Sequence, residues 1–342
     1  MVPQSVSRPR DARIEGVVHP NGCCTPSSPR PTPRPPCTER PEATARKETT
    51  RSDDPVHDSF DLPLNVSART VLTPAVLAER GLTRHQVTKL VASGRLVRLR
   101  RGRLASADMH PSLMRAGRLG GRLDCVSLLK ELGVFVRPRD GRLHVQLDMG
   151  ASRLPARDSG VRAHWRPTVA ARDVLTADLV EALAQACRCQ TPRDAVATLD
   201  SAWHIGLVDQ ALLSDVFARL PRRYRRLRPL LDCRAESGPE SLMRLLLRGL
   251  GCAVELQVDV DGVGRVDLLV DGWLIVECDS RAHHSGWDAQ KRDRRRDLAA
   301  AARGYTTVRP IAEDILERPE VVLALLRQAL THPTARARRD RP

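Results

Sequence analysis

The chain is 342 residues long, with 56 Lys+Arg against 41 Asp+Glu and a formal net charge of +15. Aromatics are 3% of it and no apolar run approaches the roughly 20 residues of a bilayer span, which argues against an integral membrane protein. All but four of the basic residues are Arg, as a GC-rich coding bias produces, but such a bias exchanges Lys for Arg without creating net charge, so a polyanionic partner is expected.

Residues 1–60 are poor in large apolar side chains and hold 11 of the 25 prolines. Such a segment buries too little surface to offset chain entropy and is expected to be a disordered Pro/Arg-rich tail. A translation start nearer Val56 or Val66 is the other reading, which the mass of the native protein separates. No basic-then-apolar leader opens the sequence, so a cytoplasmic location is expected.

From Ser67 to Ser106 the texture changes. Thr73-Pro74 opens a short helix that stops at Gly81, and Thr83 caps a second one with Val87, Leu90 and Val91 at helical spacing. Arg95 to Leu104 then alternates as a strand, a tight turn and a return strand. Helix, turn, helix and basic hairpin predict a winged helix-turn-helix over 67–106. The window carries nine Lys/Arg and a single acid, Glu79. Arg84, His85, Gln86 and Lys89 fall on the exposed side of the second helix, which in such domains reads a DNA groove. Arg98, Arg100, Arg101 and Arg103 fall on the wing, near phosphates. A solvated basic face on a protein-binding module is the competing reading.

Residues 110–235 predict a mixed α/β and helical region. Leu119–Leu132 has a helical pattern, Leu143–Leu147 and Val161–Trp165 read as strands, and Val174–Cys187, Thr191–His204 and Asp209–Arg219 as helices. Arg219 to Arg228 holds six Arg in ten residues and tracks a nucleic-acid backbone or forms a solvated connector. His144, His164 and His204 share no ligand spacing and are expected at the surface or core edge. Nine cysteines are present, with Cys23/Cys24 adjacent and Cys187/Cys189 as C-x-C, but no C-x-x-C pair. Neither a zinc ribbon nor a disulfide framework has its spacing, so reduced thiols are expected.

Residues 236–330 carry the chemistry. Pro239-Glu240-Ser241 begins a helix; strands follow at Ala253–Val260, Arg265–Val270 and Trp273–Asp279, then a helix from Trp287 to Arg303, a strand at Tyr305–Arg309 and a last helix at Pro319–Leu330. The order is αβββαβ plus one helix, with a basic tail, 331–342, expected to be disordered. In the second and third strands the even positions from Val266 to Cys278 are apolar, while Asp267, Glu277 and Asp279 are odd. For both apolar sets to meet one core the connecting loop must have an odd number of residues. A three-residue loop Val270-Asp271-Gly272 with a left-handed Gly272 satisfies this, and sets Asp267 opposite Ile275 with Glu277 on the diagonal. Asp267, Glu277 and Asp279 then line one row, and Glu240 approaches from the first helix.

Clustered carboxylates repel unless protonated or bound to metal, and oxygen-only ligands favour Mg²⁺ or Mn²⁺. Such an ion polarises a phosphodiester and acidifies an attacking water. His283 and His284 follow the third strand and can handle protons at neutral pH. Lys291, Arg292, Arg295 and Arg296 on the next helix can neutralise scissile-strand charge. Solvated carboxylates on an exposed strand face are the alternative at this point.

Glu240, Val266-Asp267, Glu277-Cys278-Asp279, Arg281-Ala282-His283-His284 and Asp293-Arg294-Arg295-Arg296 together resemble the domain of unknown function 559, related to very-short-patch-repair endonucleases and the PD-(D/E)XK nuclease superfamily. Ser67–Ser106 resembles the winged helix of AbiEi-like antitoxins of type IV toxin–antitoxin systems. The resemblance implies a restriction-endonuclease-like fold for 236–330, with Asp267 and Glu277 as metal ligands, Glu240 as the helix acid and His283 or His284 as the active-site histidine. It departs from the superfamily pattern at Asp279, where Lys is expected; an acid there serves as a further ligand or marks a weakened site.

The expected fold is therefore α/β in a multidomain chain. Two functions follow: a divalent-metal-dependent DNA endonuclease targeted to duplex DNA by its winged helix, or a DNA-binding regulator or antitoxin, with a cognate toxin as partner, whose nuclease fold is catalytically silent. The scarcity of aromatics argues against base-stacking recognition of single strands.

Overall fold

The computed structural model describes residues 69–137, 140–279 and 287–332, all within one contact unit, Pro33–Pro342. The tail expected over 1–60 lies outside the described residues, as do His283 and His284. Of the tail expected over 331–342, Thr331 ends the last helix and His332 follows it; the rest lies outside. The described residues form a mixed α/β structure with sheets of two, three and four strands. No helix among them is long and apolar enough to cross a membrane.

The first two helices are set by their caps. Thr73 Oγ1 accepts from Val76 N to start α1 (Pro74–Glu79), and Gly81, at φ 79°, ends it. Thr83 and Gln86 close a reciprocal capping box on α2 (Arg84–Ala92). Strands β1 (Leu96–Arg100) and β2 (Arg103–Ser106) pair antiparallel, with a register shift between Arg98 and Arg100. Leu72, Leu77, Leu96 and Leu104 form a small core under the two helices. Leu99 and Ala105 instead join a second core with Val71, Met109, Leu113 and Leu123, so the hairpin is apolar on both sides and basic near its tip.

The single helix expected over 119–132 is broken. Instead α3 (Pro111–Arg118), β3 (Arg122–Leu123) and α4 (Cys125–Glu131) follow one another. Gly120 turns the chain at φ 81°, and Gly121 lies so close to the Gln146 carbonyl that any Cβ there would collide. Backbone clearance, invisible to periodicity, decides this. β4 (Leu143–Leu147) and β5 (Val161–Trp165) form as expected, pairing parallel in a sheet ordered β3-β4-β5. α5 (Leu179–Cys189) begins later than its apolar pattern suggests, because Val174 and Thr176 make β-bridges to Thr70 and Leu123 and Asp178 supplies the cap. α6 (Pro192–His204) and α7 (Gln210–Ala218) follow, capped by Thr191 and Asp209. The Arg-rich run becomes a 3-10 helix, Arg222–Leu230, that buries Leu227 and exposes its arginines.

The last region has the expected order: α8 (Gly238–Gly249), β6 (Val254–Val260), β7 (Gly264–Val270), β8 (Leu274–Val276), α9 (Trp287–Ala302) and β9 (Thr306–Val308). Its sheet runs β6-β7-β8-β9, antiparallel through β8 and parallel from β8 to β9. A short α10 (Ala312–Glu317) precedes α11 (Pro319–Thr331). A buried ion pair crosses into this region: Asp200 Oδ2 on α6 accepts from Arg244 Nη2 and Ser241 Oγ of α8, each at 2.8 Å.

The β7–β8 loop has three residues, as parity requires, but they are Asp271-Gly272-Trp273. Val270 pairs with Leu274 and Leu268 with Val276, so the register is two residues away from the one expected. Asp271 and Gly272 are both left-handed, at φ 49° and 73°, and Asp271 Oδ1 accepts from Ala253 N at 2.8 Å, which holds the turn in place. Trp273 is drawn inward into the core with Leu268, Val270 and Leu274. Extended by one pair, this register sets Asp267 across from Glu277, not from Ile275.

Candidate functional site

Four acids meet where α8, β7 and the segment after β8 converge. Glu240 stands in the first turn of α8, its N–H donated to the cap Ser237, and its Oε2 accepts from Glu236 N at 3.0 Å and Gln257 Nε2 at 2.8 Å. Gln257 lies on β6 in a left-handed conformation, φ 52°, within the register interval that faces Asp267. Such a conformation in a glutamine is strained and marks a place where side-chain direction outweighs strand geometry. Asp267 Oδ2 accepts from Cys278 N at 2.9 Å, which pins β7 to the segment just after β8. Burial, then the neighbouring Glu240 and Asp279, push the Asp267 carboxyl up to about 6.

The charge of Glu277 is answered by arginines. Its Oε1 accepts from Arg296 Nη2 at 2.9 Å and its Oε2 from Arg309 Nη1 at 2.6 Å, while burial still draws its carboxyl upward against both cations. Arg309, just past β9, also reaches Asp279 at 3.4 Å and Asp297 at 2.8 Å. The carboxylates thus share one electrostatic neighbourhood. Arg309 was not singled out by the sequence; its only signal is its place after the strand parallel to β8. Arg296, expected to face a scissile strand, is bound to Glu277. Lys291 and Arg294 stand over the ring of the exposed Trp287, at 5.8 and 5.4 Å from its centre, and Arg292 and Arg295 are exposed.

Of the eight basic-region residues, Arg84, His85, Lys89, Arg98 and Arg101 are exposed and Arg103 is half-buried. Two are otherwise engaged. Gln86 Oε1 accepts from Thr83 N at 2.8 Å in the capping box, and Arg100 Nη2 donates to the Arg153 carbonyl at 3.0 Å. Gln86 therefore serves the helix start, which the T-x-x-Q spacing already encodes.

A second constellation escaped sequence reading. Cys125, His144, His164 and Cys189 bring one ligand atom each to within 4.8 Å of the others; among the described residues this is the Cys/His/Asp/Glu group that converges in this way and could hold a metal ion. Cys125 opens α4, His144 and His164 lie on β4 and β5, and Cys189 closes α5. In the β4/β5 register His164 stands beside Gln146, two residues from His144, so both imidazoles share a sheet face. His144 Nδ1 lies 3.1 Å from His164 Nε2, and Cys189 Sγ lies 3.9 Å from that same nitrogen. The Cys189 thiol is pushed down by its hydrogen bond with Cys125 and by His144, His164 and Gln185, whereas burial pushes the Cys125 thiol up. His204, by contrast, is a core-edge residue as expected, its Nδ1 2.9 Å from the Cys233 carbonyl.

The chain matches no protein-family model, and no curated protein matches it.

Proposed function

We propose that the chain binds duplex DNA through a winged helix-turn-helix at 67–106 and hydrolyses phosphodiester bonds with a divalent cation at Asp267, Glu277 and Asp279. The observation that carries this reading is the acid cluster on an αβββαβ core: Glu240, Asp267 and Asp279 share one neighbourhood, where burial first and the two flanking carboxylates next raise the Asp267 carboxyl to about 6, and a cation would relieve the carboxylate part of that cost. Oxygen donors of this kind suit Mg²⁺ or Mn²⁺, which would supply a polarised phosphoryl oxygen and a more acidic water. The Cys278 N–H holds Asp267 in place, Glu240 raises its proton affinity, and Arg296 and Arg309 hold Glu277. The exposed Arg84, His85 and Lys89 suit a groove, and Arg98, Arg101 and Arg103 suit phosphates.

The second reading is a regulator or antitoxin-like protein with a silent nuclease fold. It is favoured by Arg309, a resident cation already shared by Glu277 and Asp279. Purified protein incubated with plasmid and Mg²⁺ or Mn²⁺ separates the two. Cleavage lost in both Asp267→Ala and Glu277→Gln supports the enzyme, and cleavage surviving both refutes the site. Salt-sensitive duplex binding with no cleavage supports the regulator.

A further inference from the structure

We propose that Cys125, His144, His164 and Cys189 form a closed, tetrahedral zinc site that fastens the middle region together. Two thiolates and two imidazoles are a donor set for zinc, and two thiolate charges balance Zn²⁺ in a buried place. The dimensions agree. Zinc bond lengths of about 2.0–2.1 Å to nitrogen and 2.3 Å to sulfur imply tetrahedron edges of about 3.3 Å between nitrogens and 3.6 Å between sulfur and nitrogen. The observed separations are 3.1 Å for His144 Nδ1 to His164 Nε2 and 3.9 Å for Cys189 Sγ to His164 Nε2.

The surroundings are built to hold these groups. His144 turns its other nitrogen, Nε2, to Asp140 Oδ1 at 3.8 Å, the side from which a carboxylate orients a metal-binding imidazole. Gln185 Nε2 donates to Cys189 Sγ at 3.4 Å, as a hydrogen bond to a ligand sulfur does. Cys125, whose sulfur lies in the cluster, takes a left-handed conformation, φ 54°, costly for a residue with a Cβ. Arg166, two residues after His164, donates to Asp124, which precedes Cys125, at 2.7 Å and to Glu181 of α5 at 2.5 Å. That guanidinium ties together three of the elements that carry ligands. All four donor positions are filled by protein, so no place remains for a substrate or a hydrolytic water, and the role is structural.

The test uses the full chain, purified under reducing conditions without chelator. Elemental analysis is expected to give one zinc per chain, with Cys125→Ser and Cys189→Ser each losing it. Because those variants can also fail to fold, the wild-type protein provides a second readout. Metal-stripped protein titrated with Co²⁺ should show thiolate-to-cobalt charge transfer and the intense ligand-field bands of a tetrahedral ion, saturating at one equivalent and reversed by Zn²⁺. Protein without metal that gives no such spectrum would overturn the proposal. So would iron with visible absorption in the isolated protein, zinc retained by both Ser variants, or a Cys125–Cys189 disulfide found by mass spectrometry.

Discussion

The Cys/His cluster and the acid cluster both gather ligands from separate elements, but they differ in what answers their charge. The first aims imidazoles and soft sulfurs at a common point, with Arg166 kept to its flank, where it binds the Asp124 carboxylate. The second spreads hard carboxylates around two arginines, with Arg309 alone reaching Glu277, Asp279 and Asp297. A centre of the first kind changes little until its ion is removed. In the second, cation and protein compete for the same oxygens, so its properties should move with pH, with metal and with single arginine substitutions.

The largest effect expected on that contrast is at Asp267. On the proposed nuclease reading, loss of Asp267 as a cation ligand removes several kcal/mol of charge stabilisation, about 10²- to 10³-fold in rate, so Asp267→Ala should cut plasmid cleavage by that factor while any zinc content stays unchanged. A variant that loses both would show that the two centres fold as one. Next comes Arg309→Gln, which leaves the buried Glu277 with Arg296 as its other cation among the described residues. It should lower thermal stability and raise apparent Mn²⁺ affinity in calorimetry; affinity that falls instead would make Arg309 part of the cation site.

A moderate effect is expected from pH. The Asp267 carboxyl is raised in the fold to about 6, so its contribution to stability is present below its unfolded value near 3.8 and is lost as pH rises through about 6. Asp200 is likewise raised to about 6, chiefly by burial, and acts over the same window. Mg²⁺ should therefore raise the melting temperature more at pH 7 than at pH 5, and Asp267→Asn should abolish that Mg²⁺-dependent part alone. Equal shifts at both pH values would break the link between Asp267 and the cation. The smallest effect belongs to the hairpin. Arg101→Ala should weaken duplex binding on every sequence and reduce the salt slope by about 1, whereas Arg100→Ala should do less, since its guanidinium is held by the Arg153 carbonyl.

Much of this was legible locally. Caps at Thr73, Thr83, Thr191 and Asp209 marked helix starts, and alternation from Val266 to Cys278 fixed the parity of the β7–β8 loop. The offset of that loop was not legible, because it depends on Asp271 bonding Ala253 and on Trp273 turning into the core. Nor was the Cys/His centre. Its four ligands come from four elements with long intervals of chain between them, so no spacing betrays them, and only the parallel pairing of β4 with β5 sets the two histidines side by side. Arg309 was hidden for a related reason: its effect on Glu277 arises across the parallel β8–β9 pair.

The Asp200–Arg244 pair has a practical consequence for anyone dividing the gene. Both side chains are fully sealed from solvent, and Ala197 of α6 shares a core with Leu242, Met243 and Leu247 of α8. A fragment beginning at residue 236 would keep a guanidinium facing a hole where its carboxylate had been, beside a bared oily patch. Trimming the protein at that seam should yield material that aggregates, so cleavage assays belong on protein that retains α6.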